Sequence, residues 1–213
     1  MRVAIYGSRP DGHAKVVLDV LAGPCDLEVV GLLDDRAENA ERRIGRLGVI
    51  GGLVDLPRLA AEGACEGVVL GFGGCAGREE IGRAVEAAGL ALPVLVHPDA
   101  YVAPSASLGA GAQVLPKACV GAGARVGRGA LVNAGAVVEH DCVLAECVVV
   151  DPGAVLAGRV KVGAGAEIGS GATVVPDVEI GPGAMVGAGA AVIGPVAAGE
   201  TVVGVPARPL AGD

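Results

Sequence analysis

Aromatic residues are almost missing from this chain. Its 213 residues include no Trp, one Phe and two Tyr, set against 37 Gly. Most cores of this size rely on aromatic side chains for buried area, so the core here must be thin and filled by Val, Leu, Ile and Ala. Basic residues are also scarce. Sixteen Lys and Arg face 24 Asp and Glu, for a formal net charge of −8, and no Lys/Arg run occurs. Nucleic acids and anionic membranes both need a positive footprint to displace counterions. Those partners are disfavoured, which leaves a small ligand or another protein. No apolar stretch reaches the length of a membrane span, and Met1–Tyr6 lacks the charged start and long apolar run of a signal peptide. The six cysteines (Cys25, Cys65, Cys75, Cys119, Cys142 and Cys147) form no C-x-x-C pair. That pattern speaks against a zinc site or redox motif and reads as reduced, buried fillers in a cytoplasmic protein.

What the chain does have is repetition. From about residue 101 it divides into hexapeptides without an insertion, and the second position of each is aliphatic, from Val102 and Leu108 through to Val186 and Val192. Four residues later comes a small or compact residue, such as Ala106, Ala130, Cys142 or Val148. Both positions are expected to point inward. A period of six fits neither 3.6 nor 7, and this much glycine would cost a helix about 1 kcal/mol per site. A low-complexity disordered tract could share the composition but has no need of the strict register. Three short strands coiled around a triangular core do need it. Gly often follows the aliphatic residue, as at Gly109, Gly121, Gly127, Gly163, Gly169, Gly181 and Gly187, where corners are expected to need backbone angles that a Cβ would penalise. The pattern resembles the hexapeptide-repeat family, which implies a left-handed parallel β-helix of about 18 residues per coil and five to six coils. That family includes acyltransferases, γ-carbonic anhydrases with three-histidine metal sites, and non-catalytic members. With only His13, His97 and His140 in the chain, and one of them in the repeats, the carbonic anhydrase branch is disfavoured and no metal is expected.

Before the repeats the pattern alternates. A strand at Val3–Tyr6, a helix at His13–Leu21, a strand at Leu27–Leu33, a run at Leu47–Ile50, a helix over Leu53–Glu62, a strand at Gly67–Leu70, a helix at Arg78–Ala88 and a strand at Leu92–Val96 imply a small parallel α/β domain. The expected architecture is a Rossmann-like domain over residues 1–96 followed by an all-β helix over residues 97–213, with the boundary at His97-Pro98. In such sheets ligands gather at the carboxyl ends of strands, so the loops Gly7–His13, Asp34-Asp35 and Gly71–Gly74 should share one edge. Gly7-Ser-Arg-Pro-Asp-Gly12-His13 carries neither the G-x-G-x-x-G dinucleotide fingerprint nor the Lys-Ser/Thr of a P-loop. A tight turn without a ligand is the alternative reading of Gly7 and Gly12.

The one concentrated charge among the central repeats is Glu139-His140-Asp141. An imidazole titrates near neutrality and can take a proton from an amine or hydroxyl, worth about 10²–10⁴ in rate, and a neighbouring carboxylate makes it a stronger base. A solvated surface histidine is the alternative. One coil on from His140 falls Gly158, whose N–H would be unobstructed and suits an oxyanion donor at a thioester carbonyl.

Taken in order, Tyr6-Gly7…Gly12-His13-Ala-Lys15-Val-Val, Leu-Leu-Asp34-Asp35, Leu-Val-His97-Pro98, Asn133-Ala-Gly-Ala-Val-Val-Glu-His140-Asp141-Cys, Leu156-Ala-Gly158 and Gly204-Val-Pro-Ala-Arg208 are similar to the NeuD/PglD-type sugar acetyltransferases over nearly the whole chain. The resemblance implies acetyl transfer from acetyl-CoA to the amino group of a UDP- or GDP-linked amino sugar, or to a hydroxyl of sialic acid. It implies His140 as general base, supported by Asp141. His13, Ala14, Lys15, Asp34, Asp35 and Gly71 would line the nucleotide-sugar pocket. Acetyl-CoA would lie between the β-helices of a homotrimer, near Val149, Ser170 and Ala188. Some relatives carry a second histidine where Val149 stands, and the glycine loop is two residues longer here. A non-catalytic trimeric sugar-nucleotide scaffold is the remaining alternative.

Overall fold

The computed structural model describes residues 1–10 and 12–210. Asp11, within the Gly7–His13 loop, lies outside the described residues, as do residues 211–213. The chain divides into two compact units, Met1–Gly73 with Gly77–Leu95, and Gly74–Ala76 with Val96–Asp213.

In the first unit β1 (Arg2–Tyr6), β2 (Glu28–Leu33), β3 (Arg43–Ile44), β4 (Leu47–Gly51) and β5 (Gly67–Leu70) form one sheet in the order β3-β4-β2-β1-β5. β1 pairs in parallel with both β2 and β5, so the chain steps to one side of β1 and then to the other, which makes the end of β1 a topological switch point. The helices are α1 (His13–Leu21), α2 (Leu56–Ala61) and α3 (Arg78–Ala87). In α1 the buried residues Ala14, Val17, Val20 and Leu21 recur at helical spacing, the stripe that a helix needs to pack on a sheet. The expected helix over Leu53–Glu62 is split, because a 3₁₀ turn at Leu53–Asp55 precedes α2 and Pro57 sits in its first turn, where a missing N–H costs nothing. Of the expected strand Leu92–Val96 only Leu95–Val96 forms, beyond Pro93, and it pairs into the coils rather than the first sheet. The sheet is also not wholly parallel, since β3 and β4 form an antiparallel hairpin.

The second unit winds through sixteen two-residue strands from Tyr101–Val102 to Ala191–Val192. Each except Glu179–Ile180 and Ala191–Val192, which end their sheets, pairs in parallel with the strand one coil on, as Cys119-Val120 does with Val137-Val138. Every third strand therefore joins the same sheet, and the coils build three parallel sheets around one axis. Their core consists of the repeat's two inward positions, including Val114, Val120, Val126, Val138 and Leu156 with Ala112, Ala130, Ala136, Cys142 and Ala154. Small residues four places after each aliphatic one let the three walls approach closely enough to exclude water from a core without aromatics.

The glycines after the aliphatic residue have a different cause from the one expected. Their backbones are not left-handed; instead an added Cβ would strike the next coil, 2.6 Å from the Arg128 nitrogen at Gly109 and 2.6 Å from the Val186 oxygen at Gly169. Positive φ belongs to a separate set of corner glycines, such as Gly111, Gly135 and Gly153. The cysteines also differ from expectation in part. All six are free thiols, but Cys25 is exposed while Cys75 and Cys119 are half-buried.

Candidate functional site

Two groups of side chains stand out, one in each unit. In the first, the three strand ends flanking the switch point enclose a cavity of about 530 Å³, lined by Tyr6, Gly7, Ser8, His13, Asp34, Asp35, Asn39, Gly71 and Phe72 among others. Close backbone approach builds it. Gly7 has φ +127°, and a Cβ there would meet the Gly71 carbonyl at 3.0 Å, while a Cβ on Gly71 would sit 2.6 Å from Ile5. The Gly7 N–H donates to the Leu33 carbonyl at 2.8 Å and the Gly71 N–H to the Tyr6 carbonyl at 2.8 Å, which ties the three strand ends together.

Asp34 and Asp35 are fixed rather than loose. The buried Ser8 hydroxyl donates to Asp34, whose other oxygen accepts from the Arg36 N–H at 3.1 Å and from Asn39 Nδ2 at 2.9 Å. Burial pulls the Asp34 carboxyl upward, but the hydrogen bonds from Ser8, Asn39 and Arg36 outweigh it and hold the group below its ordinary value. Asp35 accepts from the Leu53 N–H at 2.6 Å and from the Tyr6 hydroxyl at 2.5 Å. Burial, and then the bonded Asp35, push the Tyr6 phenol far above its ordinary value, so Tyr6 stays a donor. Its ring meets Phe72 edge-on, and the Arg78 guanidinium lies 5.4 Å from the centre of the Phe72 ring.

Of the expected pocket residues, Gly7, His13, Asp34, Asp35 and Gly71 line this cavity. Ala14 and Lys15 do not. One turn of α1 carries Ala14 into the core and Lys15 to the surface, because successive helical residues diverge by about 100°. Sequence reasoning missed Ser8, Asn39, Arg9 and Arg36. Ser8 and Arg9 directly follow Gly7, but Asn39 had no signal beyond standing five residues after Asp34.

In the second unit His140 and Asp141 occupy a corner of the coil. His140 Nδ1 and Asp141 Oδ2 are 2.9 Å apart, and Asp141 has φ 58°, a conformation that aspartate tolerates better than most residues. The His140 N–H donates to Glu139 Oε2 at 3.2 Å. The imidazole packs on Gly158 so closely that a Cβ there would collide with Nε2 and Cε1. Nδ1 is thus engaged by Asp141 while Nε2 faces the glycine one coil on. Gly158 is buried, and among the described residues no acceptor takes its N–H. The matching corner residues Ala122, Ala164 and Ala188 also leave their N–H without a backbone acceptor, so what sets Gly158 apart is the imidazole that covers it. Such an arrangement can remove a proton and stabilise a developing oxyanion within the same few ångströms.

A second corner carries Pro152, Ser170 and Ala188 one above another. The Gly171 N–H donates to the Pro152 carbonyl at 3.0 Å and the Gly189 N–H to the Ser170 carbonyl at 2.9 Å. Ser170 and Ala188 are exposed, whereas Val149, expected beside them, has no accessible surface in the single chain. Asp151, unremarked in the sequence, is half-buried, and burial followed by the charge of Glu167 raises its carboxyl above the ordinary value despite a bond from Asn133. Among the described residues no three His, Cys, Asp or Glu side chains are grouped to hold a metal ion.

The family model described as bacterial transferase hexapeptide (six repeats) matches residues 141–176 and 159–194. No curated protein sequence matches the chain. Among solved structures, perosamine N-acetyltransferase from Caulobacter crescentus, a histidine-to-asparagine variant in complex with CoA and GDP-perosamine, is 35% identical, with 100% of this chain and 98% of that one covered at a TM-score of 0.92. The acetyltransferase domain of PglB from Neisseria gonorrhoeae FA1090, in complex with acetyl coenzyme A, is 37% identical, with 98% of each chain covered and a TM-score of 0.88. WeeI from Acinetobacter baumannii AYE is 26% identical over 99% of this chain and 100% of its own, with a TM-score of 0.84.

Proposed function

The chain belongs to the hexapeptide-repeat sugar acetyltransferases of the left-handed parallel β-helix type, and from that premise we propose that it transfers acetyl from acetyl-CoA to the amino group of a nucleotide-linked amino-deoxy sugar. The observation that carries the mechanism is the His140 ring held between Asp141 and Gly158. In this reading the Asp141 carboxylate accepts Nδ1–H, which leaves the Nε2 lone pair to meet the substrate. The sugar amine attacks the thioester carbonyl and His140 Nε2 takes the amine's proton. The carbonyl oxygen gains the negative charge and is met by the Gly158 N–H. Collapse of the tetrahedral intermediate breaks the C–S bond, and the CoA sulfur leaves as the thiolate and is protonated. The net result is an amide and a free thiol.

The first-unit cavity is the proposed seat of the nucleotide, with Gly7, His13, Asp34, Asp35 and Gly71 around it. One relative binds GDP-perosamine, which supports a GDP- or UDP-linked sugar as acceptor. The exposed corner at Ser170 and Ala188 is the proposed track of the pantetheine arm, since small residues there let a thin chain lie close to the coils. The reading includes a homotrimer, with acetyl-CoA between neighbouring β-helices, and a cytoplasmic location; no helix among the described residues is long and apolar enough to cross a membrane.

The test is incubation with acetyl-CoA and a panel of UDP-, GDP- and dTDP-linked amino sugars, following free thiol. Thiol release with at least one amino sugar, lost in His140→Ala, is the expected result. Release no greater than that of His140→Ala across the panel overturns the reading. Release with a hydroxyl acceptor alone would reassign the enzyme to O-acetylation.

A further inference from the structure

We propose that Gly123 is a positioning residue for the reaction: it is the seat on which the Asp141 carboxylate lies against the His140 ring, and a side chain there would lever the carboxylate away. The proposal rests on the reading of His140 as the base and adds to it a residue one coil back.

His140 and Asp141 lean in opposite directions along the coils. The imidazole covers Gly158, one coil on, where a Cβ would collide with it. The carboxylate lies over the preceding coil. A Cβ added to Gly123 would stand 2.6 Å from Asp141 Oδ1, while Oδ2 is 2.9 Å from His140 Nδ1. One oxygen thus rests on the glycine and the other meets the ring. The backbone beneath is tied down, since the Asp141 N–H donates to the Ala122 carbonyl at 2.9 Å and the Gly123 N–H to Ser105 Oγ at 3.1 Å. The Asp141 side chain is 63% exposed, and at an exposed site water competes with a polar pairing and both side chains keep their rotamers. The carboxylate therefore owes its orientation to the space it is given, and Gly123 gives it that space.

Left-handed backbone does not by itself explain this glycine. Gly123 has φ +71°, but the next three turns of the same corner carry Asp141, Arg159 and Asp177 at φ 58°, 64° and 63°. Their N–H groups donate in turn to the carbonyls of Ala122, His140 and Gly158. The corner accepts a Cβ at each of those turns. What differs at Gly123 is the carboxylate that rests on it. Asp177 leans back in the same way, and there the residue beneath is Arg159, which takes it with Nε at 2.6 Å and Nη2 at 2.8 Å. A glycine beneath Asp141 leaves that carboxylate to the histidine.

A carboxylate is planar and rigid, so its two oxygens move together. A Cβ at 2.6 Å from Oδ1 forces something to shift, and the far end of the Asp141 side chain is what can give. Swinging Oδ1 off its seat withdraws Oδ2 from Nδ1. The fold hardly registers the turn of one exposed side chain. The reaction does, because Nδ1–H without its acceptor no longer fixes the tautomer, and a proton on Nε2 removes the lone pair that must meet the amine.

The test compares Gly123→Ala with Gly165→Ala. Gly165 has φ +66° at another corner, and a Cβ there meets nothing within 4 Å, so both variants place one methyl on left-handed backbone and only one displaces a carboxylate. In Gly123→Ala the kcat for thiol release should fall about 10–100-fold, with the KM for acetyl-CoA changed by less than about threefold. In Gly165→Ala both constants should stay within about threefold of wild type, while the two melting temperatures fall together. Gly123→Arg, which copies the residue beneath Asp177, is the second variant and should lose at least as much turnover. Nitrogen-15 NMR of the ring in alkaline buffer reads the tautomer without substrate. The proton should sit on Nδ1 in wild type and Gly165→Ala, and be shared between the two nitrogens in Gly123→Ala and Gly123→Arg. On an Asp141→Gly background, which the backbone accepts, Gly123→Ala should lower kcat no further, because no carboxylate is left to displace. A kcat in Gly123→Ala no lower than in Gly165→Ala, an unchanged tautomer, or an undiminished further loss on the Asp141→Gly background overturns the proposal. Failure of the parent reading looks different: full activity in His140→Ala would remove the base, while the ring's tautomer would still report the displaced carboxylate.

Discussion

On the proposed function, Gly158 is the residue on which the geometry of the catalytic corner turns, because the His140 ring occupies the space that a side chain would need. Gly158→Ala keeps the amide but pushes the imidazole off Asp141 or off the reaction centre. A displacement of about 1 Å at such a site costs roughly 100-fold, so kcat should fall by about that factor while the melting temperature stays within a few degrees of wild type. Activity within threefold of wild type would show that the ring and the glycine do not act together. The pair was legible in the sequence for a simple reason: the coil length is fixed by the repeat, and His140 is the one histidine within it. The role of the glycines after each aliphatic residue was not legible in the same way. Close approach and left-handed backbone both demand glycine, and only the coordinates separate Gly109 and Gly169, which face the next coil's backbone, from Gly111 and Gly135, which have positive φ. Ser8 and Asn39 were missed because their partner, Asp34, lies 26 residues from one and five from the other, and no periodicity links strand ends that meet only through the sheet.

At the scale of one coil, stability comes from nearest neighbours, as in other stacked repeats. Leu156 is fully buried and opens the segment that carries Gly158 and Arg159. Leu156→Ala should destabilise the protein by about 2–5 kcal/mol, read as a lower midpoint in urea at constant slope. The same truncation at Leu108, which is only partly buried in an early coil, removes less packing and should cost less. Equal losses at both positions would argue that the coils do not share load with their neighbours in this way. Elements with a strict period were the ones the sequence disclosed best, since little besides a three-sided coil puts an aliphatic residue at every sixth place. Elements bounded by backbone chemistry were harder to read. The apolar content of Leu92–Val96 pointed to a strand, but Pro93 lacks the N–H that a ladder needs, and only Leu95–Val96 pairs. Likewise, the apolar-polar pattern of Leu53–Glu62 reads as one helix, while the Gly52 N–H bond to Asp55 Oδ2 at 2.9 Å closes a separate turn at its start.

Each unit of the molecule keeps a core of its own. One runs through the coils, and the other, with Ala4, Leu33, Leu56, Val68, Leu70 and Val85, holds the α/β sheet. On the proposed function this divides the labour: the sheet's switch point recognises the nucleotide and the coils perform the acyl transfer. Asp35 tests that division, because both of its oxygens are spent on protein donors, the Tyr6 hydroxyl and the Leu53 N–H. Asp35→Ala releases Tyr6 and the turn at Leu53 together, and it also removes one negative charge from the cavity wall. The KM for the nucleotide sugar should rise about 10–100-fold, the cost of a buttress whose removal loosens substrate and transition state alike, with kcat and the KM for acetyl-CoA changed by less than about threefold. Calorimetry with the nucleotide diphosphate alone should show the same loss, since no chemistry is needed to see it. His140→Ala should give the mirror image, with nucleotide affinity kept and turnover abolished. If Asp35→Ala instead lowers kcat and leaves nucleotide binding intact, the cavity at the switch point is not where the acceptor's nucleotide sits. The recognition step would then have to be sought on the coils.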